Sequence, residues 1–239
     1  MIDKPDMPQE IKNTDSSRTE LGQMIREGEH QRQDFKFCIN DARKIARSLV
    51  AFANTNGGRL LIGVKDNGNI AGVRSDEEYY MIESAAKLYC RPEVDFNSRL
   101  HHADNKVVLE VVVAESTTKP HLARDENDRW MAYYRLNDQN KLASKVLLDV
   151  WHKQKSPNGI FISYSASEKF LLGYLNQNGR ISHSVFARKA RISYAEAGKI
   201  LSDFVVLRIL KPILDEHPIL FGLDEGLNEQ DWQRFDSSP

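Results

Sequence analysis

Apolar and polar positions change their spacing several times along the chain, and each change predicts an element. Residues 20–27 suit a short helix that Gly28 can stop. Residues 34–39 alternate, with Phe35 and Phe37 on one face and Asp34 and Lys36 on the other, as in an extended segment. Asn40 can cap a helix over 41–53 whose apolar stripe is Ile45, Leu49, Phe52 and Ala53, with Arg43, Lys44 and Arg47 on more polar faces. Asn54-Thr55-Asn56-Gly57-Gly58 then turns the chain into a buried strand over 60–64, and Asp66-Asn67-Gly68-Asn69 makes a hairpin turn into 70–73.

Ser75 and Glu78 have capping-box spacing and predict a helix to about residue 89, ended by Pro92. Strands over 96–101 and 106–113 flank Ala103-Asp104-Asn105. The second is valine-rich and apolar on both faces, which predicts a central place in a sheet. A further strand is expected over 130–136 and a helix over 142–155, before the linker signal Ser156-Pro157-Asn158-Gly159. Ser165 with Glu168, then Ser182, then Ser193 with Glu196 open three successive helices. Strands over 209–214 and 219–223 follow. Three helices and a hairpin in that order predict a winged helix-turn-helix.

The expected organisation is a flexible arm over 1–18, an α+β domain over 19–155, a linker over 156–162, a small winged-helix domain over 163–223 and an acidic tail over 224–239. The α+β domain is expected to hold a mixed or antiparallel sheet with flanking helices. With 239 residues, 41% hydrophobic and 28% charged, the chain suits globular structure, and no apolar run reaches the length of a membrane helix. Residues 1–18 hold no apolar signal-peptide core, so a cytoplasmic location is expected. Cys38 and Cys90 are too few for a zinc cluster or a disulfide framework. The net charge of −1 gives no global attraction to nucleic acid, so such affinity must reside in local patches.

Two sets of residues are candidates for chemistry. Glu29, Asp34 and Asp66 are carboxylates at or near strand ends, and Lys36 shares a strand face with Asp34. Converging carboxylates repel unless a divalent cation or a basic side chain sits between them, and some nucleases hold Mg²⁺ beside such an acid–lysine pair. A solvated strand face explains the same spacing. The Asn54, Thr55, Gly57 and Gly58 loop offers N–H groups to an anion or nucleotide. It lies at a helix C-terminus, however, so a C-cap and tight turn is the favoured reading.

Arg32, Lys36, Arg43, Lys44 and Arg47 can form a phosphate-binding surface, as exposed helix charges also do with no ligand. Residues 163–223 carry eight Lys and Arg against five Asp and Glu, with Arg188, Lys189, Arg191, Tyr194 and Lys199 as candidate contacts. The acidic tail can fold back on such a face or stay solvated. His101 and His102 are adjacent on a strand and face opposite ways, a poor ligand pair.

The 29–36 run, the segment ending Ala51-Phe52-Ala53-Asn54-Thr55-Asn56-Gly57-Gly58, and Leu61-Ile62-Gly63-Val64-Lys65-Asp66-Asn67-Gly68 resemble the Schlafen AlbA-type domain family, also called divergent AAA. Lys119-Pro120 and Tyr133-Tyr134-Arg135-Leu136 are similar to its later motifs. The resemblance spans roughly residues 18–150. It implies an α+β fold and a nucleic-acid role, and bacterial members with a C-terminal winged helix are described as transcriptional regulators. Vertebrate Schlafen relatives cut transfer and ribosomal RNA with three acids and a divalent metal. By motif those acids fall on Glu29, Asp34 and Asp66, with Lys36 beside them and Mg²⁺ or Mn²⁺ as the cofactor. The family usually has Glu where this chain has Asp34, which shortens the reach by one methylene. The vertebrate RNA groove uses two lobes, and this chain has one unless a homodimer supplies the second. The name divergent AAA brings ATP in as a ligand, but no G-x-x-x-x-G-K-[ST] sequence is present, which excludes a standard P-loop. The expected function is therefore nucleic-acid binding by a homodimeric transcriptional regulator, DNA before RNA, with the AlbA-type domain on the phosphate backbone through Lys36, Arg43, Lys44 and Arg47 and the winged helix making DNA or dimer contact. A metal-dependent endoribonuclease is the alternative.

Overall fold

The computed structural model describes residues 9–10, 15–103, 105–155 and 165–224. The expected linker over 156–162, Asp104, most of the expected arm and nearly all of the acidic tail lie outside the described residues. The chain divides into two compact units, Met1–Ala143 and Ser144–Pro239.

In the first unit the elements are β1 (Gln9–Glu10), α1 (Asp15–Glu27), β2 (Gln33–Lys36), α2 (Ala42–Asn54), β3 (Gly58–Ile62), α3 (Glu77–Leu88), β4 (Cys90–Arg91), β5 (Asn97–Ala103), β6 (Lys106–Val113), β7 (Leu122–Arg124), β8 (Trp130–Met131), β9 (Tyr133–Leu136) and β10 (Gln139–Leu142). The arm is thus partly structured: β1 pairs with β5, and α1 begins at Asp15 rather than near residue 20. The main sheet has the order β1-β5-β6-β3-β2. Its edge pairs, β1 with β5 and β2 with β3, are parallel, and its inner pairs are antiparallel. It is the mixed sheet expected, and β6 is central. One face packs α1 through Leu21, Met24, Phe35, Leu61 and Val108. The other packs α2 and α3 through Leu49, Phe52, Leu60, Ile62, Ile82 and Val111. Glu110, the one acid within β6, is buried and pairs with His101 Nε2 at 2.8 Å.

Helix α2 is buried well beyond its predicted stripe, at Ser48, Val50, Ala51 and Asn54 as well. The reason is that β7, β9 and β10 cover the side away from the main sheet. From Ser48 to Asn54 the helix is therefore buried all round with mostly small and apolar residues, whereas Lys44 near its start stays exposed. Its N-cap is Asp41, whose carboxylate accepts the Arg43 N–H at 2.9 Å, and not Asn40. β2 ends at Lys36, so Phe35 is buried and Phe37 is 43% exposed instead of sharing its face in the core. The 130–136 strand is broken at Ala132 into β8 and β9, which belong to different sheets. The 64–73 hairpin forms, but with a single bridge between Val64 and Ile70.

The second unit holds α4 (Lys145–Gln154), α5 (Ala166–Asn178), β11 (Arg180–Ser182), α6 (His183–Ala190), α7 (Tyr194–Val206), β12 (Leu210–Ile213) and β13 (Leu220–Leu223). Helix α4, expected to close the first domain, packs on α7 instead, with Lys153 Nζ 2.7 Å from Asp203. The Ser165–Glu168 capping box and the Ser182 and Ser193 caps form as the spacing predicts. β11 was not legible beforehand. It completes a three-stranded antiparallel sheet of order β11-β13-β12.

Candidate functional site

Glu29, Asp34 and Lys36 come together at β2. Asp34 is only 4% exposed, so it does not lie on a solvated strand face. Its Oδ2 is 2.7 Å from Lys36 Nζ and 3.5 Å from the Ser48 hydroxyl, and its Oδ1 is 3.5 Å from the Arg135 guanidinium. Side chains two residues apart on a strand share a face, which is why Asp34 meets Lys36. Lys36 also donates to the Phe35 carbonyl at 2.8 Å. Glu29 accepts the Phe35 N–H at 2.9 Å and lies against Asp34. Burial, with the hydrogen bond to Asp34 and its negative charge, raises the Glu29 pKa above the ordinary glutamate value. The Phe35 N–H and Lys36 oppose that rise.

Arg135, on β9, is the member that sequence reading did not assign. It is 1% exposed and lies over the Phe52 ring, 5.0 Å from its centroid. Its guanidinium donates to the Gln33 carbonyl at 3.1 Å, the His30 carbonyl at 3.3 Å and Asn140 Oδ1 at 3.0 Å. Asn140 donates on to the Ser48 hydroxyl at 2.9 Å. Buried charges persist only when paired and hydrogen-bonded, and this cluster supplies both. The motif around Tyr133-Tyr134-Arg135 was visible in the sequence, but no local spacing links it to Asp34.

Asp66 is exposed on the turn between Val64 and Ile70 and does not join the cluster. Among the described residues no three His, Cys, Asp or Glu side chains stand where they could share a metal ion. The donor chemistry points the same way. A divalent cation needs ionised oxygens turned toward it. Asp34 is turned toward two cations and a hydroxyl, and Glu29 is turned to the Phe35 N–H. The expected set of Glu29, Asp34 and Asp66 therefore does not fit Mg²⁺ or Mn²⁺ as folded here.

The glycine-rich loop is committed to packing. Asn54 Nδ2 donates to the carbonyls of His121 and Tyr133 at 2.8 and 2.9 Å, and its Oδ1 accepts the His121 N–H at 2.8 Å. The Thr55 hydroxyl donates to Ala51 at 2.7 Å and accepts the Arg135 N–H at 2.8 Å. The N–H groups of Thr55 and Gly57 both donate to the Phe52 carbonyl. Gly57 has φ +68°, and a Cβ there would meet the Val113 carbonyl at 2.8 Å. A Cβ on Gly58 would overlap the Phe52 ring. The loop is the C-cap and tight turn, with the Asn54 amide, the Thr55 hydroxyl and the Thr55 and Gly57 N–H groups donated to the protein's own carbonyls.

The two groups of candidate cations differ. Arg43 stands 3.6 Å from Asp128, Arg47 stands 3.2 Å from Glu126, and Arg32 donates to the Asn56 carbonyl at 2.7 Å. Lys44 is exposed. In the second unit Arg188, Lys189, Arg191 and Lys199 are all exposed, and none makes an ion pair among the described residues. Tyr194 is 60% exposed and stacks on His183, with ring centroids 3.6 Å apart. Burial lowers the His183 pKa, against the hydrogen bond from its Nε2 to the Tyr194 carbonyl. Arg191 adopts the left-handed C-cap conformation after α6, φ +57°, a position that glycine usually takes. The Cys90 thiol, pushed up to about 12 by burial, is no nucleophile. No helix among the described residues is long and apolar enough to cross a membrane.

Residues 29–144 match the model of the family described as Schlafen, AlbA_2. The match ends one residue beyond the first unit, and the mixed α+β sheet is in keeping with it. A search of curated proteins finds no match. Among solved structures the chain is similar to the DIP2311 protein from Corynebacterium diphtheriae, at 18% identity and a TM-score of 0.39, over 59% of this chain and 34% of that one. It is also similar to the N-terminal domain of a putative ATP-dependent DNA helicase RecG-related protein from Nitrosomonas europaea, at 21% identity and a TM-score of 0.37, over 54% of this chain and 95% of that one.

Proposed function

We propose that the protein binds duplex DNA through its second unit, as a transcriptional regulator, with the AlbA_2-type unit as a non-catalytic partner domain. The observation that carries this reading is the unpaired basic surface on α6 and α7. Between His183 and Lys199 the sequence has four Lys or Arg and one acid, Glu196. All four cations are exposed. Phosphate binding needs cations free to release counterions, and no acid among the described residues forms an ion pair with these four.

The order of elements supports the same reading. Helix, strand, two helices and a two-stranded hairpin, closed by a three-stranded antiparallel sheet, follow the order that a winged helix-turn-helix would have, which supports that reading. In such a unit α7 is the recognition helix, and its N-terminal residues Ser193, Tyr194 and Lys199 face the bases while Arg188, Lys189 and Arg191 hold the backbone. Arg191 fits this division: a cation kept in a left-handed turn costs about 1 kcal/mol relative to glycine, a cost that phosphate contact would offset.

The metal-dependent ribonuclease reading loses support from the charge arrangement at Asp34, since its oxygens face Lys36 and Arg135. The experiment is duplex binding by fluorescence anisotropy across a salt series. The double substitution Arg188→Ala with Arg191→Ala is expected to reduce the slope of log K against log salt by about 0.9 for each lost phosphate contact. An unaltered slope removes the α6–α7 surface from the account.

A further inference from the structure

Phe37 is an exposed aromatic ring that the Asp34 cluster does not use, and two cations lie over it. Lys65 Nζ is 5.4 Å and the Arg74 guanidinium 6.0 Å from its centroid. Among the described residues it is the one ring with two such cations. Both cations are exposed and make no ion pair among the described residues. The carboxylate of Glu78, near Arg74 in sequence, accepts the N–H groups of Arg74 and Ser75 at 3.2 Å and so is spent on the backbone.

The backbone builds this arrangement. The Gly63 N–H donates to the Lys36 carbonyl at 2.8 Å, and the Gly63 carbonyl accepts the N–H groups of Ala71 and Gly72 at 2.7 and 2.9 Å. Gly63 has φ +93°, and a Cβ there would meet Gly72 at 2.8 Å. This pinch brings both arms of the 64–73 turn beside the end of β2, so Lys65 comes from one arm and Arg74 from just beyond the other. An exposed ring with two exposed cations within 6.0 Å of its centroid presents what a single nucleic-acid strand recognises: an aromatic surface for an unpaired base and positive charge for its flanking phosphates. A base within a duplex is stacked already and cannot use it.

We infer that Phe37, Lys65 and Arg74 form a binding site for an unpaired stretch of polynucleotide, separate from the duplex contact proposed on α6 and α7. The inference rests on the nucleic-acid reading of the chain but not on the second unit. The base face and the phosphate are common to DNA and RNA. The test uses the full chain with a labelled oligodeoxyuridylate, the oligouridylate of the same length, and an abasic strand of the same charge. Phe37→Ala is expected to weaken binding to the base-containing strand about 10-fold, in the range that stacking on one aromatic side chain supplies. Phe37→Trp is expected to retain affinity and to show emission quenched on binding. Lys65→Gln with Arg74→Gln is expected to flatten the salt slope by about 0.7 for each lost contact on a single strand. Whichever of the two strands depends on Phe37 identifies the sugar accepted. Equal affinity for the abasic strand, or a Phe37→Ala protein of unchanged thermal stability and unchanged affinity for both strands, overturns the inference. Failure of the α6–α7 reading is seen separately, as a duplex salt slope that ignores Arg188 and Arg191.

Discussion

Two regions of this chain treat positive charge in opposite ways, the Asp34 cluster with its neighbouring arginines in the first unit and the α6–α7 surface in the second. In the first, Lys36 and Arg135 are matched with Asp34, Arg43 with Asp128 and Arg47 with Glu126. In the second, Arg188, Lys189, Arg191 and Lys199 are exposed and unpaired among the described residues. Cations satisfied inside a fold stabilise or specify it, whereas those left in water are available to a polyanion. Similar residue types on similar-looking helices thus have different uses, and the difference lies in which acids the fold brings to them.

The sharpest way to break the comparison is at its buried side. Arg135→Met should destabilise the first unit by about 3 kcal/mol, because buried Asp34 keeps only Lys36 as a cation and the Gln33 and His30 carbonyls and Asn140 lose their donor. Urea unfolding, with nuclear magnetic resonance signals from each unit, would show the loss confined to residues of the first. A cost below about 1 kcal/mol would mean that the buried pairing is not what holds Asp34. Gly58→Ala is next: with the Phe52 ring in the way of a Cβ, it should cost about 1–3 kcal/mol by the same measurement. A neutral outcome would free the loop from its packing role and reopen anion binding there.

How much of this was legible depended on range. Caps are set by neighbouring residues, and Ser165, Ser182 and Ser193 formed theirs as spacing predicted. The central place of β6 followed from its valines, apolar on both faces. Arg135 was not legible as a site residue, because its link to Asp34 is made only when β9 packs across α2. Phe37 was misplaced for a related reason. Alternation assigned it to the face of Phe35, but β2 stops at Lys36, where the Gly63 pinch takes the Lys36 carbonyl. Asp66 was placed with Glu29 and Asp34 by motif order, and the turn carries it out to solvent.

Proton linkage separates the units more gently. Glu29 has a raised pKa, so the folded first unit binds a proton more tightly than the unfolded chain does. Its contribution should therefore fall as pH rises from the ordinary glutamate value through the raised one, and Glu29→Gln should remove that slope. His183 has a lowered pKa, so the second unit should gain stability as pH rises from the lowered value to the ordinary histidine value. Hydrogen exchange read for each unit with and without Glu29→Gln and His183→Gln would check both signs, and a substitution that left its unit's pH slope unchanged would contradict the assignment, with His30, also lowered by burial, common to both first-unit proteins. The smallest effect on stability is expected from Arg191→Gly, which should leave it unchanged or raise it by up to about 1 kcal/mol while weakening duplex binding.

The most direct test sets the two kinds of cation against each other on one duplex. Salt slopes should be measured for the full chain, for Arg43→Ala with Arg47→Ala, and for Arg188→Ala with Arg191→Ala. The account predicts an unchanged slope for the first pair and a fall of about 0.9 for each lost contact for the second. A fall for Arg43 and Arg47, with none for Arg188 and Arg191, would contradict it.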